Sequence, residues 1–152
     1  MPARRVACVS DLSTGPSTTP PPFVDKVAWV HVVDRRLLAA RSAGRDLYYL
    51  PGGKREPGES DVETLAREIE EELSVTVEPS TAVHVGTFEA PADGRTDGRV
   101  VRLTCYTATC SGDLTPSREI AEIAWLTAAD GDRVSAANRL VLAHLHGAGL
   151  LD

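Results

Sequence analysis

Apolar positions fall in short runs with a two-residue repeat along most of this chain, and twice the repeat lengthens to the 3.6 residues of a helix. Residues 27–33 read as a strand, and Asp34-Arg35 turns it into a second strand at residues 37–40. Residues 42–46 hold Gly44 and read as another turn. A third strand at residues 47–50 runs into Leu50-Pro51-Gly52-Gly53. Val62, Leu65, Ala66, Ile69 and Leu73 then recur at helical spacing as one apolar stripe. Residues 75–77 and 83–88 return to strand character, and Asp93-Gly94 and Asp97-Gly98 mark a loop. Residues 100–110 alternate, with Val101, Leu103 and Cys105 opposite Arg102 and Thr104. Ser111-Gly112-Asp113 turns the chain, and residues 119–126 form a short strand or bend. Ser135 caps a last helix to about His146, with Gly147 just past its end and Ala137, Val141 and Leu145 on its apolar side. Strands, one central helix, more strands and a final helix make a mixed α/β domain without internal repeats, although this order alone does not fix a topology.

The first 22 residues break the pattern. Residues 13–22 carry four prolines among Ser, Thr and Gly, which excludes a helix or a central strand. They read as an extended arm, residues 1–22, ahead of a domain at 23–152; residues 6–9 could add an edge strand. With 152 residues, 42% apolar and 25% charged, the chain has the makings of one globular domain. The net charge of −6 argues against a nucleic-acid polymer as partner. A small anionic substrate stays open if bound metal supplies positive charge. No apolar run approaches the ~18 residues of a membrane span, and Arg4 and Arg5 precede no apolar signal segment. Cys8, Cys105 and Cys110 form no paired motif and fit a reducing cytoplasm.

The central helix carries the chemistry. Ser60 and Glu63 form a capping box, and Asp61 complements the positive helix end. On a wheel of about 100° per residue with Val62 at zero, Glu71, Glu68 and Glu72 fall at roughly 180°, 240° and 280°. They share one arc beside the buried stripe. Glu68 repels Glu71 and Glu72 by ~0.2–0.5 kcal/mol each, and the acids crowd the negative helix end. A hard divalent cation would reverse both penalties. A solvated charged face is the plain alternative. It leaves unexplained the glycines before the helix and the fixed offsets of Glu59 and Arg67.

Gly53, Glu59, Arg67, Glu68, Ile69, Glu71, Glu72 and Val75 closely resemble the Nudix box; only Ser74 departs, where the family has glycine. The resemblance covers residue 23 to about residue 150. It implies an α/β/α sandwich with a mixed sheet and the box helix over its open end. It also implies magnesium or manganese held by Gly53, Glu68, Glu71 and Glu72, with Arg67 paired to Glu59 to orient the acids. A further carboxylate often acts from outside the box: Glu119 is the first candidate and Glu122 the second. Ser74 should strain the helix end in a left-handed conformation without removing a catalytic group.

The implied activity is metal-dependent hydrolysis of a phosphoanhydride bond in a nucleoside diphosphate linked to a group X. Nucleoside triphosphates, ADP-ribose and nucleotide sugars all remain open, as does homodimer formation. A non-catalytic Nudix sensor would usually lose box acids, and this chain keeps them. The isopentenyl-diphosphate isomerase branch would want a larger domain and a catalytic cysteine. Lys54, Arg55, Arg99 and Arg102 are candidate phosphate contacts or plain surface charge. Tyr48, Tyr49 and Phe88 are candidate base-stacking residues or core aromatics. His31, His84, His144 and His146 share no metal or catalytic spacing.

Overall fold

The computed structural model describes residues 23–92 and 98–152. The expected arm at 1–22, the strand at 6–9 and the loop positions 93–97 lie outside those residues.

Strand β1 (Phe23–Trp29) organises the fold. Strand β4 (Gly52–Gly53) pairs antiparallel along one edge of it. Strand β7 (Val100–Thr107) pairs parallel along the other, from Phe23 opposite Val100 to Trp29 opposite Tyr106. Strand β6 (Val83–Pro91) completes a mixed sheet in the order β4-β1-β7-β6. A second sheet joins β2 (Val32–Val33), β3 (Arg36–Ser42) and β9 (Ile120–Leu126). Strands β5 (Thr76–Val77) and β8 (Cys110–Ser111) pair separately.

The alternation of β1 divides the core in two. Val27 and Trp29 point to one side, against Leu65, Ile69 and Leu73 of helix α1 (Asp61–Leu73). Ala28 and Val30 point to the other, against Val141, Leu142 and Leu145 of helix α2 (Ala136–Gly147). Leu65, Ile69 and Leu73 are completely buried, worth roughly 1.5–3 kcal/mol each. The protein is thus an α/β fold with helices on both sides of strand β1. Among the described residues no helix is long and apolar enough to cross a membrane.

Several element boundaries differ from the sequence expectation, two of them because a distant hydrogen bond redirects the chain. The strand expected at 27–33 starts at Phe23 and stops at Trp29. Val30 still donates its N–H to the Tyr106 carbonyl, but the His31 carbonyl accepts from Leu38, so the chain crosses into the second sheet. The run 100–110 divides because Ala108 gives its carbonyl to the Trp29 indole and Thr109 gives its own to Glu78 N–H. Residues 47–50 make isolated bridges, Tyr49 to Ala40 and Tyr48 to Val134, not a strand. Helix α2 includes Gly147, and the left-handed glycine beyond it is Gly149 at φ 78°. Asp34 and Arg35 both take positive φ, 51° and 63°, in the turn joining β2 to β3.

The capping box of Ser60 and Glu63 forms with both reciprocal hydrogen bonds, 3.1 Å and 2.8 Å. At the other end of α1, Ser74 is left-handed at φ 61° and ψ 27°, with its N–H on the Glu70 carbonyl. A Cβ is unfavourable there. Ser74→Gly should therefore stabilise the protein by about 0.5–1 kcal/mol, less than the full strain because glycine also loosens the unfolded chain. Urea denaturation measures this; a lower midpoint for the variant would contradict it.

Candidate active site

The Gly-Gly approach to α1 is sterically determined. Gly52 has φ 150°, and a Cβ there would lie 2.0 Å from the Val27 carbonyl oxygen. A Cβ on Gly53 would lie 2.5 Å from the Glu68 carboxyl carbon. Only two successive glycines allow β4 to pair with β1 while the Glu68 carboxylate rests against the loop. The loop is tied at three points. Leu50 donates its N–H to Asn138 Oδ1 at 2.9 Å, the Pro51 carbonyl accepts from Trp29 N–H at 2.8 Å, and Gly52 donates to Glu72 Oε1 at 3.1 Å.

Arg67 gathers the acids of the box. Its Nε and Nη2 donate to both Glu59 oxygens at 2.6 Å and 2.8 Å. Its Nη1 reaches Glu68 at 3.2 Å and Glu71 at 3.5 Å, and Nη2 also donates to the Lys54 carbonyl. A planar guanidinium is suited to this many-sided role. Arg67 holds the Glu59 carboxyl down at about 2, helped by the Glu56 N–H. Burial has the opposite effect on two other acids. It raises Glu68, and it pushes Glu72 up to about 8 against the opposing Gly52 N–H, with Glu68 and Glu119 adding repulsion.

The three adjacent glutamates are inequivalent. Glu70 is exposed, Glu71 is partly covered, and Glu72 is only 8% accessible. Among the described residues no three acidic, imidazole or thiol side chains are drawn into a closed cage. Arg67 engages Glu68 and Glu71, while Gly52 engages Glu72. Even so, the donor chemistry fits a small hard cation, because carboxylates and a backbone carbonyl are the oxygen ligands magnesium and manganese take. The cradle at Gly53, which a methyl group would fill, seats the Glu68 carboxylate against the glycine loop.

Glu72 and Glu119 line one cavity of about 190 Å³ together with Lys26 and Arg45. It adjoins a cleft of about 380 Å³ through the shared Lys26, Arg45, Tyr49 and Leu50. Lys54, Arg99 and Asn138 also line this cleft, and among the described residues no acidic side chain does. Glu122 is directed elsewhere: its Oε1 accepts from Arg41 at 2.9 Å and from the Tyr48 hydroxyl. The geometry therefore separates the two acids outside the box and leaves Glu119 at the site. Arg55 is held by Asp61 and Asp25, and Arg102 by Glu89 and the Phe23 ring. Tyr48 and Phe88 pack with the core, while Tyr49 faces the cleft. His31 stacks on Trp29 at 4.3 Å. Burial pushes the Cys105 thiol up to about 12, which leaves it unreactive.

Two residues at the site escaped the sequence reading. Asn138 is 3% accessible and joins Leu50 to Ser135, so α2 helps fix the glycine loop. Its signal was a polar residue on the same helix face as Val141, Leu142 and Leu145. Lys26 was hidden in β1, where alternation places it on the face of Ala28 and Val30.

Comparison with known proteins agrees with this geometry. The NUDIX domain family model matches residues 22–145. The solution structure of the E. coli ORF135 protein has a TM-score of 0.67 at 25% identity, covering 87% of this chain and 96% of that one. The MutT protein of Methanosarcina mazei gives a TM-score of 0.69 at 20% identity over 87% of this chain and 99% of its own. A curated human (Homo sapiens) relative, 8-oxo-dGDP phosphatase NUDT18, is 46% identical over 46 residues; the match spans 30% of this chain and only 14% of that protein.

Proposed function

This chain belongs to the Nudix hydrolase family, and on that footing we propose that it hydrolyses a phosphoanhydride bond in a nucleoside diphosphate linked to a group X, using magnesium or manganese. The observation that carries the proposal is the Glu68 carboxylate seated against Gly53, where a Cβ would fall 2.5 Å from its carboxyl carbon. Gly53, Glu68, Glu71 and Glu72 would hold the cation. When bound, it supplies charge neutralisation at the phosphates and a more acidic water.

The chain's own groups supply the rest. Arg67 clamps Glu59 and faces Glu68 and Glu71, fixing the direction of both metal-binding acids. The Gly52 N–H fixes Glu72. Glu119 lines the same cavity and, in this reading, accepts a proton from the attacking water or completes the cation's ligands. The basic cleft receives the nucleotide, whose phosphates oppose its cations. The 23–152 unit holds all of these residues, and the proposed site of action is the cytoplasm.

A relative named for 8-oxo-dGDP supports including nucleoside diphosphates among the substrates tested. The informative experiment is a panel of nucleoside di- and triphosphates, ADP-ribose and nucleotide sugars with magnesium, read by product identity. The full chain should release products of anhydride cleavage, and deletion of residues 1–20 should leave that chemistry in place. Tight binding without turnover across the whole panel would instead identify a sensor.

A further inference from the structure

Lys26 is the one side chain of β1 that joins both cavities of the site. Its neighbours along the same strand face, Ala28 and Val30, are buried apolar core residues. A lysine placed there by strand alternation takes its stem into the protein. Among the described residues its ammonium makes no hydrogen bond or ion pair. It lies over the Tyr49 ring, with Nζ 5.6 Å from the centroid. Burial lowers its pKa, with Lys54 and Arg45 adding to the shift and Glu72 and Glu68 opposing it. A desolvated charge without a close partner is costly and uncommon unless a ligand supplies the counter-charge.

Arg55 is held by Asp61 and Asp25, Arg67 by the box acids, and Arg102 by Glu89, and they belong to the scaffold. Arg45 and Lys54 also line the cavities without an ion pair among the described residues, but both are exposed and free to hydrate. Lys26 alone of these three is half-buried, and it stands where the cavity of Glu72 and Glu119 meets the basic cleft.

From this placement we infer that Lys26 is a substrate-anchoring residue, whose ammonium donates to a phosphate of the bound nucleotide as it passes from the basic cleft to Glu72 and Glu119. The inference rests on the proposed hydrolase reading and assigns a contact that the box itself does not contain. Tyr49 supplies an aromatic wall that limits the positions open to the ammonium. The contact favours substrates with a charged phosphate at this junction over neutral nucleosides.

The test uses Lys26→Met and Lys26→Arg in the full chain, with inorganic pyrophosphate as the probe. Calorimetric binding is measured in magnesium at fixed ionic strength. Lys26→Met should weaken pyrophosphate binding at least 10-fold, and Lys26→Arg should retain most of it. Thermal stability of the methionine variant should stay level or rise, because a half-buried, poorly paired charge is removed. With the best nucleotide of the panel, KM should rise more than kcat falls. Equal pyrophosphate affinity in wild type and Lys26→Met, or no binding by the wild type, would overturn the assignment. Loss of pyrophosphate binding in a protein that hydrolyses no nucleotide would keep the anion contact and overturn the hydrolase reading, so the two failures are distinguishable.

Discussion

Glu72→Gln is expected to lower turnover at least ~100-fold, the scale of losing one well-placed electrostatic group, while making the metal-free protein more stable at neutral pH. The two effects have one cause. Glu72 is buried and its carboxyl is pushed up to about 8 in the folded protein, whereas an unfolded chain would ionise it at roughly 4.3. Between those values the folded state keeps a proton that the unfolded state has released. Its stabilising contribution is therefore complete below the lower value and lost as pH rises through the higher one. Metal-free wild type should lose stability, on the order of a few kcal/mol, from about pH 5 to pH 8. The glutamine variant should lack most of this slope. Glu59 does not confuse the window, because its carboxyl is held at about 2 and its contribution is lost only in stronger acid. Glu71→Gln should share the turnover loss, and Glu70→Gln should not, since Glu70 is exposed. Equal, mild effects at all three positions would reduce the acidic run to a solvated face.

The second large effect separates two adjacent glycines. Gly53→Ala places a methyl group against the end of the flexible Glu68 side chain. Glu68 can swing away at little cost to the fold, but its carboxylate then leaves the loop. Turnover should fall at least ~100-fold, with a stability change below about 1 kcal/mol. Gly52→Ala drives the same methyl into the Val27 carbonyl and the Ala28 Cα, which are backbone atoms of the central strand. Its φ of 150° is also closed to alanine. That variant should lose about 3 kcal/mol or more, or fail to fold. Urea titration with parallel activity assays checks the contrast. Severe destabilisation by Gly53→Ala, or tolerance of Gly52→Ala, would refute the geometry given for the loop.

The sequence was most legible where the determinants lie within a few residues of one another. Ser60 and Glu63 are three apart and meet as a capping box. Leu65, Ile69 and Leu73 occupy one buried stripe, and Ser74 ends the helix in the left-handed form expected of the family glycine. What stayed hidden depends on partners far along the chain. The parallel pairing of β1 with β7 joins residue 23 to residue 100. The break after Trp29 exists because Leu38 takes the His31 carbonyl. Local spacing also could not separate Glu119 from Glu122: three residues apart, one lines the acidic cavity while the other is taken by Arg41 and Tyr48. Asn138 illustrates the same limit, because its amide serves Leu50, 88 residues away.

If the acids of helix α1 hold the metal for anhydride hydrolysis, product formation from the best nucleotide of the panel should follow free magnesium as it is removed by chelator and then restored. Cleavage should stop in excess chelator and return with magnesium or manganese, in wild type and Glu70→Gln alike, with little return in Glu72→Gln. Full turnover in excess chelator would show that these acids do not work through a metal.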